Sequence, residues 1–140
     1  MLPLWFRQNP LARSFAARLF PFSGHTIHSR LYNSYKEREL ARLLSVPFVP
    51  KKMPVGYGRW LDERLVEYPW CFSRLPEASG SVLDAGSVFN FKLILDHPRL
   101  RNKAITIMTL APERDNFPRG NVVYTYGDLR HTSFPDGCFD

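Results

Sequence analysis

The chain has 140 residues, 44% hydrophobic and 23% charged, with twelve prolines, two cysteines and a net charge of +6. This suits one modest globular core broken by frequent turns. No apolar run nears the roughly 18 residues of a spanning helix, Met1–Phe6 is too short and too uncharged to begin a signal peptide, and Cys71 and Cys138 form neither a Cys-x-x-Cys pair nor a disulfide framework, so a reducing cytoplasm is the default location.

The charge is uneven. Residues 1–59 hold ten Lys/Arg and two acids, whereas residues 60–140 hold nine Lys/Arg and eleven acids. The basic character therefore belongs to an N-terminal arm, 1–55, and not to the remainder, 56–140. Such an arm suits nucleic acid, anionic lipid or a phosphorylated substrate, but a solvated docking segment is the plainer reading and no pattern specifies nucleic acid.

Asn9-Pro10 opens the first helix, with Asn as cap and Pro in the first turn. Leu11, Phe15 and Leu19 share a face beside Ala12, Ala16 and Phe20, with Arg13 and Arg18 off the stripe and Pro21 ending it. The expected role of this face is packing on the domain. Peripheral contact with a membrane surface and a targeting presequence are the less favoured alternatives. Phe22 to His28 reads as a loop, and His25 and His28 have no acidic or thiol neighbour to complete a metal site. Ser29 to Ser45 reads as a second helix with Tyr32, Leu40, Leu43 and Leu44 on one face and a Glu39–Arg42 pair. Val46 to Pro54, holding three prolines and Lys51-Lys52, is a linker.

Arg59 to Leu75 carries a helical stripe of Leu61, Leu65, Tyr68, Phe72 and Leu75, which Pro69 is expected to kink or split near Leu65. Glu63 and Glu67 lie one turn apart and need a cation between them, Arg59 or Arg64. Ser81-Val82-Leu83 follows a Ser-Gly-Ser turn and reads as a buried strand. Asp84 sits at its carboxyl end, Gly86 in the tight turn beyond, and Phe91 to Asp96 forms a short helix that His97-Pro98 stops. Lys103 to Leu110 is a second strand, apolar enough to be covered on both faces. The stretch Ala111 to Gly120 is at the minimum for a parallel crossover, with room for little more than a turn at Pro112. Asn121 to Tyr126 is the third strand, leading to Asp128. Pro135-Asp136-Gly137 is a turn, and Cys138-Phe139-Asp140 begins a new strand.

Strand, acid, glycine turn and helix are the ingredients of a ligand crevice outside the strand ends of an open α/β sheet. The stretch Val82-Leu83-Asp84-Ala85-Gly86-Ser87-Val88-Phe89-Asn90 resembles motif I of class I S-adenosylmethionine-dependent methyltransferases. Asp84 and Gly86 match the motif's acid and first glycine, while Val88 and Asn90 replace the second and third. Ile105 to Glu113 looks like the second strand and its turn. Tyr126-Gly127-Asp128-Leu129 and Phe134 to Asp140 look like the end of the third strand and the run into the fourth. From about Gly58 onward the chain is similar to a group of bacterial methyltransferases with a Leu-Asp-Ala-Gly-Ser motif.

The resemblance implies an α/β fold: a partial Rossmann-like methyltransferase sheet, its first three parallel strands and the start of the fourth, preceded by N-terminal helices. The family's full strand order is 3-2-1-4-5-7-6. It also implies S-adenosylmethionine as cofactor, held near its methionine end by Asp84, Gly86 and Ser87, with Glu67 or Tyr68 reaching the same end. Thr109 stands where the ribose-binding acid belongs, so Glu113 is the substitute. Asp128 and the Leu129 amide are expected at the adenine. The methyl acceptor is unknown, with a sugar or glycan precursor suggested. The family's acceptor-facing and base residues lie on the fourth and later strands, so no catalytic residue is assigned. The chain alone is expected to lack turnover. The alternative is a truncated or degenerate Rossmann-like fragment that is not an enzyme. A dinucleotide oxidoreductase is disfavoured, because Gly-x-Gly-x-x-Gly is missing after the first strand.

Overall fold

A computed structural model describes residues 9–23, 29–50, 53 and 55–140. Met1–Phe6, His25, His28 and Lys51-Lys52 lie outside the described residues. The chain forms two compact units, Met1–Arg74 and Leu75–Asp140.

The first unit holds helices α1 (Pro10–Leu19), α2 (Arg30–Leu44) and α3 (Arg64–Arg74). Both of the first two start where the capping residues place them. The Asn9 side chain accepts from the Leu11 and Ala12 amides, and Ser29 Oγ accepts from the Tyr32 amide at 3.1 Å. The face of α1 that packs is not the expected one. Ala16, Ala17 and the following Phe20 are buried, whereas Leu11 is 80%, Phe15 60% and Leu19 41% exposed. Small side chains let α1 approach α2 closely, and this outweighs the wider apolar stripe. Phe20 stacks on Tyr35 with ring centroids 5.0 Å apart and meets Tyr32 edge-on at 5.7 Å. An Arg13–Glu37 ion pair joins the same two helices.

Helix α3 begins at Arg64, later than the expected Arg59. Gly56, Gly58 and Trp60 have φ of 79°, 66° and 65°, so the preceding stretch turns instead of winding. Asp62 then serves the new start by accepting from the Arg64 amide. The same carboxylate accepts from the Tyr32 hydroxyl at 2.8 Å and from Lys36 Nζ at 2.6 Å, tying α3 to α2. Arg64 is the cation that Glu67 requires, and the two are ion-paired. Pro69 does not split α3, which runs unbroken through it with Leu65, Tyr68, Pro69 and Phe72 buried. A proline at this position leaves the Leu65 carbonyl without its helical donor. The Tyr57 hydroxyl supplies one, at 2.8 Å.

The second unit is a mixed α/β layer. Strands β1 (Gly80–Ala85), β2 (Lys103–Thr109) and β3 (Val122–Tyr126) form an open parallel sheet in the order β1-β2-β3, with the short helix α4 (Lys92–Leu95) between the first two. The register aligns Val82 with Ile105 and Val122, and Asp84 with Ile107 and Tyr124, on one face. That face and the elements beside it supply the core: Phe89, Ile94, Leu95, Leu100, Ile105, Ile107 and Val122 are buried. The other face is more open, with Ala85 and Ala104 exposed and Val123 61% exposed. Along β2 one face is buried throughout its middle, while on the other Ala104 is exposed, Thr106 half-buried and only Met108 buried, so the cover expected on both faces is complete on one and partial on the other.

Residues 110–121 connect β2 to β3 without a helix. Side chains fix this connection instead. Arg119 donates to the Leu95 carbonyl at 3.0 Å and pairs with Asp96 at 2.6 Å. At the opposite end of the sheet, Arg99, Asn102 and the buried Lys103 donate to the carbonyls of Leu75, Glu77 and Ala78, pinning the segment that enters β1. The chain end lies along the outer edge of β1. The Asp140 amide donates to the Ser81 carbonyl at 3.0 Å, the Ser81 amide donates to Asp140 Oδ2 at 2.6 Å, and Ser81 Oγ donates to the Cys138 carbonyl at 2.9 Å.

Candidate functional site

Parallel pairing sends all three strands the same way, so the loops after Ala85, Thr109 and Tyr126 emerge at one edge of the sheet. Each of the residues singled out in the sequence, Asp84, Gly86, Ser87, Glu113, Asp128 and Leu129, sits at this carboxyl edge or in a loop leaving it. A mixed α/β unit with an open parallel sheet offers its ligand crevice at this edge.

The loop after β1 is built on Asp84. This residue is 5% exposed, and its two carboxylate oxygens accept from the Val88 amide at 2.8 Å and the Phe89 amide at 2.6 Å. Both oxygens thus close the loop on its own strand. Gly86 has φ of 102°, and its amide donates to the Met108 carbonyl at 2.9 Å. An added Cβ there would meet no described atom within 4 Å, so the backbone conformation and not lack of space selects glycine. Ser87 follows with φ of 64°, a left-handed conformation that a side chain adopts at a cost of about 1 kcal/mol. Its Oγ is buried and has no hydrogen-bond partner among the described residues.

Asn90, where the resembled motif has its third glycine, is spent within the fold. Its Nδ2 donates to the Asp115 carbonyl at 2.7 Å, and its Oδ1 accepts from the Tyr124 hydroxyl at 2.8 Å. That hydroxyl accepts in turn from the Phe117 amide at 2.9 Å. Asn90 and Tyr124 together lock the first loop to the β2–β3 connection. Tyr124 escaped the sequence reading. A half-buried tyrosine on a strand looks like packing, and only the register beside Asp84 and Ile107 brings it toward the first loop.

Thr109 ends β2 and turns its Oγ1 to the Ala111 carbonyl at 3.2 Å, while its own carbonyl accepts from the Gly127 amide. Glu113 is exposed in the connection beyond. Asp128 follows β3 and is gripped by Arg130, whose Nε lies 3.0 Å from each carboxylate oxygen and whose Nη2 lies 2.6 Å from Oδ2. This side-chain bonding, with the Arg130 amide, holds the Asp128 carboxyl below the usual carboxylate range. Leu129 is 40% exposed. Glu67 and Tyr68 belong to the other compact unit.

Among the described residues, no cluster of His, Cys, Asp and Glu is arranged to hold a metal ion. A cleft in the first unit, lined by Tyr35, Arg42, Tyr57 and Arg59, encloses about 90 Å³. Small-molecule sites usually occupy roughly 300 Å³ or more, so this cleft is small for one. No protein-family model, curated protein or solved structure matches the chain.

Proposed function

We propose that Leu75–Asp140 is the cofactor-binding half of a Rossmann-like, S-adenosylmethionine-dependent methyltransferase. The observation that carries this reading is the Gly86–Ser87 turn at the end of β1. Two successive left-handed residues end on a buried hydroxyl with no partner among the described residues. Strained backbone and an orphaned polar group cost stability, and they persist where a ligand uses them. Further support comes from the sheet. The β1-β2-β3 order is the first half of the class's sheet, and Cys138–Asp140 lies on the β1 side where that class has its fourth strand.

The residues suit the cofactor with altered roles. Gly86 and Ser87 would meet its amino-acid end, Glu113 its ribose hydroxyls, and the Leu129 amide with Asp128 its adenine. Asp84 is a positioning residue, because both its oxygens hold the loop. Asp128 reaches a ligand by exchanging Arg130, an exposed partner that binds weakly in water. When bound, the cofactor supplies a methyl group on a sulfonium. The chain's part is to hold that group in line with an acceptor. The acceptor class proposed is a sugar or glycan precursor.

The second reading, a Rossmann-like fragment without turnover, is favoured by one observation. The carboxylates of Asp84 and Asp128 are both already engaged by their own loops. Calorimetric titration of S-adenosylhomocysteine separates the two. The methyltransferase reading predicts saturable binding that Ser87→Ala and Asp128→Ala each weaken about tenfold, the worth of one good hydrogen bond. Absence of binding supports the fragment reading.

A further inference from the structure

The connection between β2 and β3 is tied at both ends, and its middle hangs on one pair of side chains. At the first end Thr109 Oγ1 donates to the Ala111 carbonyl, and at the last Arg119 holds Leu95 and Asp96. Between them Pro112 and Pro118 supply no amide donor and bias Ala111 and Phe117 toward extended backbone, so the stretch does not wind into a helix. Glu113, Arg114, Asp115 and Asn116 are exposed. Among the described residues, 112–118 reaches the rest of the chain through two hydrogen bonds. Asn90 Nδ2 donates to the Asp115 carbonyl at 2.7 Å, and the Phe117 amide donates to the Tyr124 hydroxyl at 2.9 Å.

The two bonds belong to one chain of donors. The Tyr124 hydroxyl accepts from Phe117 and donates to Asn90 Oδ1 at 2.8 Å, and the Asn90 side chain donates onward to Asp115. Bonds aligned head to tail polarise one another. The Asn90 backbone amide also donates to the Ser87 carbonyl at 3.4 Å, which roots the chain in the left-handed turn after β1. A segment with exposed side chains and few bonds opens locally, and two hydrogen bonds of ordinary worth favour its closed form by only roughly tenfold to a hundredfold. We propose that 112–118 is a flap at the carboxyl edge of the sheet, latched by Asn90 and Tyr124, and that the latch holds Glu113 at that edge. The latch stands on geometry; its effect on a ligand rests on the cofactor reading of the same site. On that reading the latched form is the binding form, so a ligand that Glu113 contacts binds more weakly as the flap opens.

Two near-isosteric substitutions open the latch without emptying space. Asn90→Asp keeps the acceptor for Tyr124 but sets a carboxylate oxygen against the Asp115 carbonyl, and Tyr124→Phe removes the hydroxyl. Tryptic cleavage of the full chain after the exposed Arg114, followed by mass spectrometry, should quicken about tenfold in each variant. Cleavage after Arg101, which is exposed just before β2, should keep its wild-type rate. Unchanged cleavage after Arg114 overturns the latch. Equal acceleration at both sites also overturns it, because that marks loosening of the whole unit. Calorimetric titration of S-adenosylhomocysteine tests the hold on Glu113. Glu113→Gln should weaken binding about tenfold in the wild type but less than about threefold in the Asn90→Asp, Tyr124→Phe background, where the flap has already withdrawn the carboxylate. Equal losses in the two backgrounds overturn the control of Glu113. Absence of binding by the wild type, beside the expected cleavage pattern, removes the cofactor reading and supports the latch alone.

Discussion

Two aspartates bear on stability in ways their sequence neighbourhoods do not announce. Asp84 holds the Val88 and Phe89 amides, and its own burial makes those bonds costly to lose. Asp84→Ala is expected to destabilise the protein by about 2 kcal/mol, since amides left unpaired in the interior bear most of their desolvation cost. Urea denaturation measures it. At Asp62, burial alone would push the carboxyl up. The Lys36 and Tyr32 hydrogen bonds outweigh it and hold the pKa below the usual range. The partner hydroxyl responds the other way: burial, then the bond to the Asp62 carboxylate, pushes Tyr32 up to about 12. A carboxyl whose pKa is lower when folded than when unfolded stabilises the fold above its unfolded pKa. That contribution is lost as pH falls through the folded value. Stability of the wild type should therefore drop below about pH 4. Asp62→Asn, weaker at neutral pH by about 1 kcal/mol, should show a smaller acid-dependent drop. Equal pH dependence in the two proteins would count against the triad.

At the scale of elements, the sequence was most legible where a single residue type sets local backbone geometry. Asn9 and Ser29 start their helices as caps, Gly86 turns the chain after β1, and Pro98 ends the α4 segment. It was least legible where distant partners decide. The inward face of α1 is the alanine side because α2 lies close enough to prefer it. Pro69 is tolerated because Tyr57, which lies outside the helix, takes over the Leu65 carbonyl. In the candidate site the positions of Asp84, Gly86 and Asp128 at the strand ends were readable. What their carboxylates touch was not, since Val88, Phe89 and Arg130 are competitors no motif names. The compensation of Pro69 by Tyr57 has a coupled consequence. Tyr57→Phe should cost about 1–3 kcal/mol in the wild type, because it leaves a helix carbonyl unpaired. It should cost distinctly less in a Pro69→Ala background, where the backbone amide restored by the substitution returns as donor. Additive effects in that double-mutant cycle would refute the compensation.

For the molecule as a whole, the sheet has one edge that matters. Gly86 donates toward β2 while Ser81 faces Asp140 on the other side. By the alternation of a strand, the backbone groups of Leu83 and Ala85 point to that outer side, beyond the reach of β2 and β3. Such an edge accepts another strand. The 140-residue chain is expected to self-associate as concentration rises, which light scattering coupled to size exclusion would register; a strict monomer at every concentration would contradict it. The carboxyl end of β1 carries the proposed cofactor site. Backbone amide shifts followed by NMR during titration with S-adenosylmethionine test it most directly. Saturable shifts are expected to gather at Gly86, Ser87, Glu113 and Leu129, with residues 9–50 unmoved. No shift at those four amides at millimolar cofactor, or shifts confined to residues 9–74, would contradict the assignment.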